Sequence, residues 1–291
     1  MSCILLRFMD KDTKKFAMTI GIFAIVICAG YASLVAYTGY TLPFSSVVSE
    51  SMQHNNDRSS LGVIDTGDIV IVRDTSKADI QTYVEGYHTG YKTFENYGSV
   101  IIYERENHNP VIHRAILWMD YNSDGTWSSK ELSYLPTGSW YYVYTDSEGN
   151  KVVGNDYMTI RGILYFTDDI IYGKNPYVDM DSLEKNSGYL TMGDNPTSNP
   201  NFDQSIGIMD HLISMDEIKS VATFEIPWMG VPKLLLRGSD KLDHVPNSLP
   251  SLMMGIITLF SLLIIIDIIS IYRYNKAGMN RIEEENRWKR F

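Results

Sequence analysis

The chain has 291 residues, a formal net charge of −10 and two cysteines. That length holds one or two domains, and the acidic balance argues against nucleic acid as a partner, because phosphates are bound by Lys and Arg. Cys3 lies before the first long apolar run and Cys28 within it, so the middle of the chain has no thiol and must be held by a packed core, not by disulfides.

The first apolar run, Phe16 to Tyr37, carries no charge. At about 1.5 Å per residue it reaches across a hydrocarbon core of about 30 Å. It is longer than the apolar core of a cleavable signal peptide, about 7 to 15 residues, and reads as a permanent anchor, with removal after Ala32 or Ala36 as the alternative. A second run, Leu252 to Tyr272, is broken only by Asp267. An ionisable group there is costly, so Asp267 either pairs with a partner helix or reaches the interface near Arg273. Arg7, Lys11, Lys14 and Lys15 precede the first run; Arg273, Lys276, Arg281, Arg287, Lys289 and Arg290 follow the second. The positive-inside rule then predicts a multi-pass plasma-membrane protein with both termini cytoplasmic. The predicted organisation is a tail over 1–15, a transmembrane helix over 16–37, an external domain over 38–248, a second helix over 249–272 and a tail over 273–291. Residues 41–248 carry 15 Lys/Arg against 29 Asp/Glu, a balance of −14, while each flank is +2.

The external region is predicted to be mainly β and antiparallel. Short aromatic and β-branched runs alternate with turn residues: Ile69 to Val72 after Gly67-Asp68, Ser99 to Tyr103 after Gly98, Ile112 to Trp118 after Asn109-Pro110, then Tyr141 to Tyr144, Ile163 to Phe166 and Gly188 to Met192. Residues 122–186, rich in Tyr, Asp, Ser and Gly, read as an insertion between two parts of the core, with hairpin signals at Asp124-Gly125 and Glu148-Gly149-Asn150 and no sign of catalysis.

Val47-Val48-Ser49-Glu50-Ser51-Met52 follows the first apolar run. As an extended segment it would turn Ser49 and Ser51 to one side, a suitable pairing of nucleophile and oxyanion donor. His113 supplies an imidazole whose usual pKa suits a general base, and the loop from Gly193-Asp194-Asn195 to Asp203 supplies carboxylates, in the order Ser, His, Asp. The remaining histidines, His54, His88, His108, His211 and His244, lack metal-ligand spacing and read as surface groups. Asp120 to Glu131 matches a Ca²⁺-loop pattern at positions 1, 3, 5, 6 and 12, but strands are predicted on both sides, which favours a plain Asp-Gly turn.

Taken together, Ser49-Glu50-Ser51-Met52, Gly67 to Val72, Gly98 to Ile102, Ile112-His113-Arg114 and Gly193-Asp194-Asn195 resemble the boxes of type I signal peptidase of the archaeal and endoplasmic-reticulum kind. The segment Val221 to Gly230 is similar to that family's last strand and apolar turn. The resemblance implies a serine endopeptidase with Ser51 as nucleophile, His113 as general base, Ser49 and the Ser51 backbone N–H as oxyanion donors, and either Asp194 or Asp203 as the carboxylate that orients the base. It implies no cofactor. Its implied partners are signal peptides of secreted preproteins, cut after small residues, together with the lipid bilayer and the protein-export machinery. The chain departs from the family at Gln53-His54, where x-Pro is more common, and in the longer loop before Asp203. Phe44 and the set Ile226, Pro227, Trp228, Met229, Val231 and Leu234 to Leu236 are placed to dip into the membrane interface, with the core of a last strand as the alternative. Two rival readings remain: an inactive membrane-tethered β scaffold that binds surface proteins, and a peptidase dedicated to a few substrates.

Overall fold

The computed structural model describes residues 11–55, 57–106, 108–238, 242–243 and 245–288; Cys3, Arg7, His244, Lys289 and Arg290 fall outside them. The helices are α1 (Lys11–Thr38), α2 (Tyr83–Thr89), α3 (Val231–Leu236) and α4 (Ser248–Trp288). Within α1 and α4, Lys15–Thr38 and Ser248–Lys276 are long and apolar enough to cross a membrane, with mean hydropathy 2.2 and 2.7. Apart from their ends next to the β structure, both are exposed along their apolar length, so those side chains find no protein core. Asp267 is exposed on α4.

Between these helices lies a mostly antiparallel β structure. The main sheet places β1 (Phe44–Ser46), β2 (Ile69–Arg73), β13 (Ile218–Ile226), β5 (Val100–Tyr103), β6 (Val111–Tyr121) and β12 (Gly188–Met192) side by side in that order, with β7 (Trp127–Ser128) on β6. All its strand pairs are antiparallel. A small hairpin joins β3 (Lys92–Thr93) and β4 (Asn96–Tyr97). A second sheet, ordered β11 (Tyr177–Asp179), β10 (Ile163–Phe166), β8 (Trp140–Thr145) and β9 (Lys151–Gly154), lies wholly within residues 122–186.

Side-chain alternation explains how the main sheet is held. β5 is buried along its whole length, and it sends Val100 and Ile102 into one cluster with Val47, Met52, Ile64, Val70 and Ala222 while Ile101 and Tyr103 enter another with Ala115, Met209 and Ile213. Each fully buried aliphatic side chain contributes about 1.5 to 3 kcal/mol. The second sheet turns Trp140, Tyr142, Leu164, Phe166 and Val178 onto the far half of β6 and β12, where they pack with Ile116, Leu117, Met119, Leu190 and Phe202.

The stretch from Asp120 to Glu131 folds as a tight turn. Asp124 accepts the Thr126 N–H at 3.0 Å and hydroxyl at 2.6 Å, and Gly125 takes the positive φ of 85° that the turn requires. Glu131 points inward, accepting the Thr82 hydroxyl and the Trp118 N–H. Burial pushes its carboxyl up to about 8, against the pull of the Thr82 and Trp118 donors. Among the described residues no group of three or more metal-ligating side chains is placed to hold a cation.

Candidate functional site

The sequence leads to an extended segment through Ser49 and Ser51; in the structure the strand ends at Ser46 and Ser49 to Met52 form a bend and turn, closed by Gln53 N–H donating to the Glu50 carbonyl at 3.0 Å. The cause lies across the sheet. Asn195 donates its N–H to the Ser51 carbonyl and its side-chain amide to the Glu50 carbonyl, each at 2.9 Å, which draws this backbone out of strand geometry. Met52 anchors the turn from below, 1% exposed in the cluster under β1, β2 and β5. The turn still brings the two hydroxyls together, with Ser49 Oγ and Ser51 Oγ 3.3 Å apart.

Gly193 is required by this contact. A Cβ there would press into the Ser51 carbonyl oxygen and also crowd the Asn199 side chain, so no larger residue fits without moving the turn.

His113 and Arg114 are neighbours on β6, so strand alternation sends them to opposite faces, and each meets its own aspartate. On one face, Asp203 Oδ2 receives His113 Nδ1 at 2.7 Å, the Tyr103 hydroxyl at 2.8 Å and the Thr191 hydroxyl at 2.6 Å. Its other oxygen accepts the Asn199 amide at 3.3 Å. Burial alone would raise this carboxyl, but His113, Thr191 and Tyr103 overcome it and hold Asp203 below its ordinary value. An ionised carboxylate only accepts, so Nδ1 of His113 carries a proton in this contact, which makes Nε2 the nitrogen through which the ring can act as a base.

On the other face, Arg114 clamps Asp194 through Nε at 3.0 Å and a second guanidinium nitrogen at 2.5 Å. The rest of its fork donates to the carbonyls of Thr93 and Gly98. His54 adds a contact to Asp194 at 3.2 Å, so it is a buttress of this network and not a bystander at the surface. Burial opposes the charge on Asp194 too, yet Arg114 and His54 hold it well below the usual carboxylate range. Of the two aspartates that the sequence leaves open, Asp203 therefore touches His113 and Asp194 touches Arg114.

Ser49, Ser51 and His113 line one open cleft of 660 Å³. Phe44, Val48, Ile102, Val111 and Ile112 supply its apolar wall, and Lys233 of α3 and Arg237 just after it also line it. Among the described residues Ser51 is not hydrogen-bonded to His113; its hydroxyl is engaged with Ser49. A neighbouring cleft of 710 Å³ shares Arg105, Pro110 and Ile208 and carries His211 clamped between Asp210 at 2.7 Å and Glu217 at 2.6 Å.

The β structure is tied to both long helices. Asp74 donates its N–H to the Thr38 carbonyl at the end of α1 at 2.8 Å, and Tyr40 reaches the Lys219 carbonyl. Asn247, just before α4, makes a two-way amide contact with the Ser59 backbone at 2.8 and 2.9 Å. Near these junctions Leu42, Phe44, Phe224, Met229, Leu235 and Leu236 are exposed, Leu236 by 90%, whereas Val231 and Leu234 of the same segment are buried. Trp228 is half-buried and donates its indole N–H to Ser59 Oγ at 3.0 Å.

Sequence reasoning quoted Arg114 and Asn195 within their boxes without giving them a role, and it missed His54, Asn199 and Lys174 as parts of this site. The chain matches no protein-family model, no curated protein and no solved structure.

Proposed function

We propose that the chain is a membrane-anchored serine endopeptidase of the type I signal-peptidase kind, with the His-based chemistry of the archaeal and endoplasmic-reticulum branch. The observation that carries this reading is the shared cleft of Ser51 and His113, with Asp203 buried directly behind the imidazole. Serine is a weak nucleophile without a base. In the proposed reaction Ser51 Oγ turns from Ser49 to Nε2 of His113, gives up its proton and attacks the scissile carbonyl. Ser49 and the Ser51 N–H then hold the oxyanion, and the His113 imidazolium returns its proton to the leaving amine. His113 then takes a proton from a water that attacks the acyl-enzyme ester, and that proton returns to Ser51 Oγ as the second product leaves.

Position supports the substrate class. In this reading a β structure joined at both ends to membrane-length helices, with the exposed Phe44 on the cleft wall, holds the cleft where a peptide bond has just left the bilayer, and its aliphatic wall suits small residues before the cut. In this reading both helices span, the β structure faces the cell exterior and the termini are cytoplasmic.

The engagement of Ser51 with Ser49 favours a second reading, an inactive tethered scaffold. Incubating the full chain in detergent with a preprotein that has small residues at the first and third positions before its cut separates the two. Cleavage that is lost in Ser51→Ala supports the peptidase; an intact preprotein supports the scaffold.

A further inference from the structure

Lys174 lies in the β10–β11 connection of the second sheet, far in sequence from Ser51, His113 and Asp203. Its ammonium donates to three backbone carbonyls of one loop: Asn199 at 2.9 Å, Asn195 at 3.2 Å and Gly193 at 3.3 Å. An ammonium has three donors, and all three are used here. Three carbonyl dipoles that converge on one point repel one another, and a cation placed there offsets that repulsion.

That loop is also the one that shapes the site. Asn195 holds the Glu50 and Ser51 carbonyls, and Asn199 donates to Asp203 on one side and accepts the Gly193 N–H at 2.9 Å on the other. A single side chain thus bears on both the nucleophile turn and the carboxylate behind His113. The segment that delivers it is costly to build. Asp168, Asp169 and Tyr172 all have positive φ, at 58°, 52° and 54°, a region non-glycine residues avoid. It is kept in place by the buried Ile171, by Lys174 N–H donating to the Ile171 carbonyl at 2.9 Å, and by Asn175 donating to Asp169 at 3.1 Å.

We propose that Lys174 is a positioning residue for the reaction, and that the second sheet serves the site by presenting this ammonium to the 193–199 loop. The inference rests on the peptidase reading for its kinetic consequences, but not for its structural ones. Burial brings the Lys174 ammonium down to about 8, against the pull of Asp194 and Asp203. Those carboxylates face it from the 193–203 segment, already paired with Arg114 and His54 in one case and with His113 in the other, and the Tyr172 ring lies 5.3 Å away on its own loop. Loss of its proton removes a donor and the charge together, so the loop loosens as pH rises through about 8.

The test uses the full chain in detergent, with Lys174→Met and Lys174→Arg. Hydrogen exchange followed by mass spectrometry should show faster exchange over 193–203 in Lys174→Met, with β8 and β10 as the control. With the small-residue preprotein as substrate, kcat should fall roughly 10- to 100-fold in Lys174→Met while KM stays within about twofold. Lys174→Arg should recover part of kcat and move the alkaline limb of the kcat profile upward from about 8. Unchanged exchange over 193–203 in Lys174→Met overturns the proposal, as does a wild-type kcat in that variant. Should Lys174→Met loosen the second sheet as well, the Lys174→Arg profile decides, and an alkaline limb that does not move overturns the proposal. If the wild-type chain cleaves nothing, the peptidase reading fails by itself, and the exchange measurement still decides whether Lys174 holds the loop.

Discussion

Asp203→Asn and Asp194→Asn remove one charge each from aspartates on opposite sides of β6, and the structure predicts different failures. Asp203 takes three donors on Oδ2, from His113, Tyr103 and Thr191, and one on Oδ1, from Asn199. An asparagine cannot accept on both sides. If its oxygen faces His113, its amide opposes the Asn199 amide. If its amide faces His113, Nδ1 must accept, and Nε2 then carries the proton and can no longer act as a base. An imidazole held in the wrong tautomer costs about 10⁴ in kcat, or about 5 kcal/mol of barrier. In that same orientation the Tyr103 and Thr191 hydroxyls can turn to accept from the amide, so the stability cost is smaller, about 1 to 3 kcal/mol. Asp194→Asn instead leaves the fully buried Arg114 without a counter-charge, for which about 3 to 5 kcal/mol of stability is expected. Single-turnover cleavage of the preprotein, beside thermal unfolding of the same detergent samples, separates the two. Asp203→Asn should be folded and nearly inactive, while Asp194→Asn should lose most in Tm. An Asp203→Asn variant within tenfold of wild type, next to a folded and inactive Asp194→Asn, would refute the assignment of the two carboxylates.

Other outcomes follow from the same geometry. Gly193→Ala should shift the Ser51 turn and lower kcat by roughly 100-fold, because its Cβ has no room beside the Ser51 carbonyl; wild-type kcat would show that the turn adapts. Burial pushes Asp68 up to about 8, and raises its neighbour Asp65 as well. A folded-state pKa above the unfolded value contributes stability that is complete below about 4 and is lost as pH rises through about 8. Asp68→Asn should therefore flatten the decline in Tm between pH 5 and 8, all else being equal; an unchanged slope would place the decline elsewhere.

Much of the sheet was legible because its strands carry their own signal. Ile163 to Phe166 and Gly188 to Met192 appear with the boundaries the sequence suggests, since β-branched and aromatic residues stop at Gly, Asn or Asp. The Ser51 turn was not legible, because its bend is imposed by Asn195, whose placement depends on the pairing of β12 with β6. The same holds for the carboxylates. Which aspartate meets His113 is decided by alternation on β6 together with the irregularity in β12 between Leu190 and Thr191, and neither can be read from spacing in the loop. Lys174 and His54 act through contacts across long sequence separations, so the first looked like part of a passive insertion and the second like a surface group.

The central claim is that Ser51 is the nucleophile and His113 its base. The most direct measurement is mass spectrometry of a preprotein incubated with the full chain in lipid vesicles, beside Ser51→Ala and His113→Ala. The account predicts one cut, after a small residue at the end of the signal sequence, in wild type and none in either variant. The same cut persisting in Ser51→Ala, or an uncut preprotein with the wild-type chain, would contradict it.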